Sequence, residues 1–536
     1  MWSTMEQQSS SSFSAFLVSF FLLLLLLLLL LLLLLLLLIV TTKRNKRTPR
    51  VVLPPGPWKL PIVGSMHHLI VGAAPIHHIL RDLALKYGPV MHLKLGEVDH
   101  IVISSPEAAR EVTKTRDLNF ASRPELTLSK VLLYDGTDIV FAPHGDYWRQ
   151  LRKLCTLEVL SARRVRSFSH IREEETSDVV ERISLAAEYG TPVNLTAMLV
   201  SLTNSISCRA ISSCRADDAY RKKFVSALED AINLGSGFTV TDLFPSFGFI
   251  DVIVGVKRRL ERSRLRFSEM MDEIIEEHRE RTAKRRRDNS CAGGDDGSGV
   301  EDLVDVLLRI KDDDDQLEVP LTVDNIKAVI FDMFSAGTET TSTTLTWAMA
   351  ELVRKPEVME KVQTEVRQIL KGKAKIHEDD DIGELQYLKL VIKETLRLHP
   401  PLPLLLPRAC GETCEMGGFT ILAGARVMIN AWALGRDPGV WDDAEAFRPE
   451  RFDGSSADFK GADHGYLPFG SGRRICPGIT FGLATVELVL ATLLYHFNWE
   501  LPGRKEPGDL DMTETFGVTA RKAHDLLLHV KLVRAW

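Results

Sequence analysis

The chain has 536 residues, 45% hydrophobic and 26% charged, enough to bury one large core or several ordinary ones. A formal net charge of −6 argues against the basic surface of a nucleic-acid-binding protein, so no nucleic-acid partner is expected. Seven cysteines at irregular spacing form no disulfide framework. Cys410 and Cys414 lie close together, but no second Cys/His pair follows to complete a zinc site, and they read as free thiols.

Ser9 to Thr42 carries no charged residue, and leucine is unbroken from Leu22 to Leu38. A bilayer core takes roughly 20 apolar residues, so residues 13–40 are expected to form a transmembrane anchor behind a short luminal N-terminus, 1–12. A cleaved signal peptide would have a shorter apolar core and a small-residue cleavage site, neither of which is present. Lys43, Arg44, Lys46, Arg47 and Arg50 follow, with no Lys or Arg before the span. The positive-inside rule therefore places everything after it in the cytosol, where the sequon Asn194-Leu195-Thr196 stays unmodified. Leu53-Pro54-Pro55-Gly56-Pro57 reads as a stiff extended linker. Residues 41–60 are thus a basic and proline-rich hinge, and 61–536 the body of the chain.

Ile76 to Tyr87 has helical periodicity, and Val90–Gly96 with His100–Ser104 reads as a hairpin, so a small β region is expected near the N-terminus. Asp146 opens a basic helix in which Trp148 and Arg152 share a face; alone, this is a surface helix with ordinary charges. Val165 to Ala187 and Val252 to Glu280 are amphipathic scaffold helices. The run Lys284–Arg287 leads into Cys291–Gly299, which cannot pack and reads as a mobile loop.

Thr322 to Arg354 reads as one long helix interrupted chemically by Ser335-Ala336-Gly337-Thr338-Glu339-Thr340-Thr341. Glycine in mid-helix costs about 1 kcal/mol against alanine, so something other than helix stability selects this stretch. Glu394 and Arg397 lie three apart on one helix face, a natural ion pair that alone carries little information. His399 to Arg408 is extended, apolar and rich in proline, and ends in a cation.

Pro468-Phe469-Gly470-Ser471-Gly472-Arg473-Arg474-Ile475-Cys476-Pro477-Gly478 then places one cysteine at the end of a glycine-rich loop, before an apolar helix, Ile479 to Leu494. Two arginines and the N–H groups of a helix start favour a thiolate. Gly470, Gly472 and Gly478 let the backbone adopt positive φ near a flat ligand. A lone thiolate suits haem iron, whereas zinc takes three or four protein ligands.

Phe469, Gly472, Arg474, Cys476 and Gly478 match every fixed position of the haem signature of the cytochrome P450 superfamily, which this chain resembles from hinge to C-terminus, most closely in its plant microsomal members. The resemblance implies a mainly α fold with a small β region, and haem b with Cys476 as its axial iron ligand. It also implies that Trp148, Arg152, Arg408 and Arg474 hold the haem propionates, with Phe469 and Gly478 shaping the loop. Ala336-Gly337-Thr338-Glu339-Thr340 resembles the family's distal motif, where a local opening of the helix admits dioxygen. There Glu339 relays protons and Thr340 hydrogen-bonds the oxygen undergoing O–O cleavage. Glu394, Arg397 and, within Phe447–Phe452, Arg451 resemble a structural triad that holds the haem loop. Leu402, Leu404 and Phe516 fall where the family lines its substrate cavity.

What the resemblance implies for function is NADPH-dependent insertion of one atom of O2 into a lipophilic plant metabolite, most suitably a terpenoid, given the apolar segments Phe238–Phe249 and Leu402–Leu406. No dinucleotide fingerprint is present, so NADPH acts only through a separate reductase, NADPH–cytochrome P450 reductase, with cytochrome b5 as a further donor. Arg149, Lys153, Arg163 and Arg164 offer positive charge to an acidic redox partner. The expected location is the endoplasmic reticulum membrane, single-pass, with the body cytosolic. Two other readings remain open: a haem-thiolate isomerase or dehydratase that needs no reductase, and a non-catalytic haem- or ligand-binding protein.

Overall fold

The computed structural model describes residues 22–34, 51–70, 74–213, 226–227, 239–292, 301–313, 318–373, 375–503, 506–515 and 517–533, in two units, Met1–Val52 and Leu53–Trp536. In the first unit Leu22–Leu34 is helical. The remainder of the expected anchor and luminal N-terminus, most of the loop Cys291–Gly299, Phe238 and Phe516 lie outside the described residues.

The second unit is mostly helical. Pro75 caps α1 (Ile76–Tyr87), which buries Leu80 and Ala84 and ends at Gly88 with φ 109°. Strands β1 (Val90–Leu95) and β2 (Val98–Ile103) pair antiparallel as the alternation predicts. After β3 (Val193–Asn194) come β4 (Arg408–Ala409), the ribbon β5 (Cys414–Met416) and β6 (Phe419–Ile421), β7 (Arg426–Ile429), β8 (Phe497–Glu500) and β9 (Leu527–Leu532). The main sheet has the order β1-β2-β7-β4, with β2 and β7 parallel; a second sheet orders β3-β9-β8. The small β region therefore joins the N-terminal hairpin to strands from the C-terminal third of the chain.

The core is built from α2 (Asp146–Leu154), α3 (Ser169–Glu188), α4 (Leu195–Ser212), α5 (Val256–Ala292), α6 (Val323–Arg354), α7 (Pro356–Ile369), α8 (Gln386–Leu398) and α9 (Ile479–His496). Leu202, Ile206, Leu345, Trp347, Leu352, Val362, Leu388, Val489 and Leu493 form one buried cluster across α4, α6, α7, α8 and α9. Each such side chain stabilises the fold by roughly 1.5–3 kcal/mol. Helix α9 is apolar enough to cross a membrane, yet 56% of it is buried within this unit; it is a core helix.

Three boundaries differ from the sequence reading. Pro54 and Pro57 are buried, Pro55 O accepts the His92 N–H at 2.9 Å, and a Cβ on Gly56 would sit 1.9 Å from His92 O. The stiff proline segment is therefore packed along β1, and the compact unit begins at Leu53, not at residue 61. The Val165–Ala187 pattern breaks at Phe168 into Ala162–Ser167 and α3. The Val252–Glu280 pattern breaks near Gly255, whose φ is 77°, and α5 then runs on to Ala292. Lys284–Arg287 are thus helical, because Arg and Lys are good helix formers that need no tertiary partner.

Candidate functional site

The cysteine loop closes on itself: the Cys476 N–H donates to Phe469 O at 3.0 Å. Gly470 and Gly472 have φ of 71° and 72°, and a Cβ on Gly472 would lie 2.1 Å from Thr113 O. Gly478 differs from the expectation. Its φ is −90°, open to any residue, so what sets it apart is its place as the cap of α9, beside Cys476 Sγ. Burial pushes the Cys476 thiol up from its ordinary value, while the Gly478 N–H and the Arg152 charge pull it down. The thiol thus has donors in place but needs a cation to be held as thiolate.

Four guanidinium groups gather around this loop. Arg474 donates to Ala121 O at 2.6 Å and also to Ala142 O. Arg152 donates to Ile475 O, and Arg408 donates to Ser471 O at 2.7 Å and pairs with Asp117 at 3.1 Å. Arg123, which the sequence reading missed, donates to Leu406 O at 2.7 Å and Pro407 O at 2.9 Å. Burial, then the repulsion of Arg408, pulls Arg474 down to about 9; burial and the neighbouring arginines lower Arg123 as well. Among the described residues Asp117 is the carboxylate ion-paired with this group. So large an excess of buried positive charge calls for a dianionic partner, which fits the two propionates of haem. Trp148 contributes otherwise than expected. Its indole N–H donates to Ile139 O at 3.0 Å, and its ring face receives the Arg474 guanidinium at 4.0 Å.

Opposite features lie on α6. Thr322 caps it through Asn325, and the helix is buried along nearly its whole length. Ala336 is exposed, however, and Ser335, Gly337, Glu339 and Thr340 are half-buried, which leaves this one stretch bordering open space. The helix is continuous there, so the local opening implied by the family motif is not seen, and the Thr340 hydroxyl donates back to Ala336 O at 2.6 Å. A Cβ on Gly337 would meet Ser207 Oγ at 3.0 Å, so close packing of α4 explains the glycine. The Glu339 carboxylate is held by Arg521, through Nη2 at 2.8 Å and Nε at 2.9 Å on the same oxygen. No sequence signal pointed to Arg521. Leu402 and Leu404 are half-buried, and a Cβ on Gly470 of the cysteine loop would meet Leu405 Cδ1 at 3.8 Å.

Glu394, Arg397 and Arg451 come together. Arg397 Nε lies 2.7 Å from Glu394 Oε2, and Arg451 Nε lies 2.9 Å from Oε1. All three side chains are buried, and Arg397 also donates to the carbonyls of Gly435, Ala444 and Ala446. Beside Trp148, Asp332 of α6 accepts the N–H groups of Ile139 and Val140 at 2.9 and 3.0 Å. Burial pushes the adjacent Asp138 up to about 6, and burial with the neighbouring Asp138 charge raises Asp332 as well. A lone aspartate in the apolar run before Ser335 was the available sequence signal.

Fold and site together describe a mainly α protein built to hold a dianionic group beside a half-buried cysteine. A family profile described as Cytochrome P450 matches residues 54–527. Premnaspirodiene oxygenase from Hyoscyamus muticus is 51% identical over 90% of this chain and 94% of its own length. For 5-epiaristolochene 1,3-dihydroxylase from Nicotiana tabacum the figures are 49%, 91% and 94%, and for tabersonine 3-oxygenase from Catharanthus roseus 49%, 89% and 92%. A zebra fish cytochrome P450 structure with progesterone shares the fold, at a TM-score of 0.71 with 24% identity, over 86% of this chain and all of that one. The chain belongs to the cytochrome P450 family. It is a haem-thiolate monooxygenase of specialised metabolites, its cofactor haem with a cysteine axial ligand.

Proposed function

We propose that this enzyme inserts one oxygen atom from O2 into a hydrocarbon-rich terpenoid, with electrons from NADPH delivered by a separate reductase and cytochrome b5 as accessory donor. The observation that carries the substrate class is the apolar stretch Leu402–Leu406, half-buried at Leu402 and Leu404. It fits relatives named for a diene and an aristolochene.

Haem, which Cys476 would hold through its sulfur, would supply the oxidising chemistry. Arg152, Arg408 and Arg474 neutralise its propionates, and Trp148 fixes Arg474 by stacking. Phe469 and Gly478 hold the loop: Phe469 O accepts the Cys476 N–H, and the Gly478 N–H faces the sulfur. Glu339 carries protons in from the Arg521 side, releasing its guanidinium partner to turn toward Thr340. The Thr340 hydroxyl keeps its lone pairs free to accept while its proton rests on Ala336 O. Glu394, Arg397 and Arg451 tie α8 to the segment before the cysteine loop.

Residues 13–40 anchor the enzyme in the endoplasmic reticulum membrane with the body cytosolic; the Leu22–Leu34 helix and the basic flank from Lys43 to Arg50 support this reading. Exposed Lys153 and Arg163, with Arg149, offer an acidic reductase its contact. Arg164 is committed inward, to the carbonyls of Glu158 and Glu301.

The test is incubation of reductase-supplemented microsomes bearing the enzyme with plant metabolite extract, NADPH and isotope-labelled O2. A terpenoid product gaining one labelled oxygen, lost without NADPH and in Cys476→Ala, is expected. A labelled product of another class would replace the terpenoid assignment, and products formed equally without NADPH would overturn the reductase-dependent reading.

A further inference from the structure

A second cluster of ligating side chains lies away from the cysteine loop. His77 and His78 stand in the first turn of α1, and Glu514 comes from the C-terminal turn that bridges to Lys522. Glu514 Oε2 lies 2.5 Å from His77 Nε2 and 3.3 Å from His78 Nε2. The three donor atoms all lie within 4.8 Å of one another; to share one ion with bonds of about 2.1 Å, the hydrogen-bonded His77–Glu514 pair would open by about 1 Å.

His399 supplies an independent observation. It is 6% exposed, its Nδ1 makes no hydrogen bond, and that atom lies 3.8 Å from Glu514 Oε1. Its other nitrogen is 2.8 Å from the buried Glu351 carboxylate, and its ring is stacked on Trp347 at 4.1 Å. A carboxylate on the second nitrogen of a histidine is the outer-shell arrangement that orients histidine ligands, and it leaves Nδ1 facing Glu514. His78 Nε2 likewise makes no hydrogen bond, and its ring is stacked on Trp432 at 4.0 Å. The Asn430 amide fixes the start of α1 by donating to His77 O at 2.8 Å. The nearby cations are Arg436 and Arg81, which share Glu445 at 3.0 and 3.4 Å.

We propose that His77, His78 and Glu514 bind a divalent ion of the zinc class, with His399 backing Glu514 through its other oxygen. Imidazole and carboxylate donors without a thiolate suit such a borderline ion. Bound there, it would pin α1 to the C-terminal turn and to the end of α8, three segments far apart in sequence.

The experiment uses the untagged, haem-loaded enzyme in detergent, so that Cys476 is already engaged. After chelator treatment, Zn2+ is titrated against a competing indicator and thermal unfolding is recorded with and without the ion. One zinc per chain and a raised Tm are expected for the wild type. His78→Gln, at a partly exposed edge of the cluster, should bind more than about tenfold more weakly and lose the zinc-dependent Tm rise; Glu514→Gln should do the same. His170→Gln, an exposed histidine on α3, should match the wild type. Equal zinc affinity in His78→Gln and wild type, or well under one zinc per chain, would overturn the site, and His78→Gln decides the matter even if Glu514→Gln does not fold.

Discussion

Arg521 Nη2 lies 2.8 Å from Glu339 Oε1, so the carboxylate assigned to proton delivery is held by a guanidinium from the far end of the chain. The Arg521 side chain is about half exposed, and such a pair contributes at most about 1 kcal/mol. Arg521→Gln should therefore leave Tm nearly unchanged. Glu339→Gln removes the proton donor and should lower kcat by roughly 10²-fold or more with little change in KM. Steady-state kinetics of both variants checks this; an unaffected kcat in Glu339→Gln would remove Glu339 from the relay.

Glu394 is fully buried between Arg397 and Arg451. Glu394→Ala leaves both guanidinium groups without their buried carboxylate, which costs about 3–5 kcal/mol, a large share of a typical domain's stability. The expected result is a collapse in the yield of folded, haem-containing protein, read as the ratio of haem absorbance to total protein after purification.

Gly472→Ala combines positive φ with a Cβ placed 2.1 Å from Thr113 O, a backbone atom with no room to give. The left-handed conformation alone costs about 1–2 kcal/mol for a residue with a side chain, and the clash adds to it. Gly478→Ala, at φ −90°, meets neither penalty. Thermal unfolding should rank Gly472→Ala well below Gly478→Ala.

Asp138, buried and pushed up to about 6 from an ordinary 3.8, binds its proton more tightly in the folded than in the unfolded chain. The stability this contributes is complete below pH 3.8 and is lost as pH rises through about 6. Asp138→Asn keeps an oxygen for the Phe141 N–H, which Asp138 accepts at 2.8 Å, and removes the titration. Melting curves from about pH 4 to about pH 7 should show a shallower decline in Asp138→Asn than in wild type, with the variant gaining most at the upper end.

Much of the local structure was legible from residues alone. The period of 3.6 marked α1 within its observed limits, alternation marked β1 and β2, and the glycine spacing marked the loop that ends at Cys476. These features depend on backbone sterics and nearest neighbours, which the linear order of residues contains. Only the tertiary structure decided which distant groups meet: β2 beside β7, Arg521 on Glu339, Glu514 among three histidines, and the Trp148 indole on Ile139 O. Burial and charge pairing depend on what the rest of the chain brings within a few ångströms, and the same Arg or His is a solvated surface group or a desolvated partner accordingly.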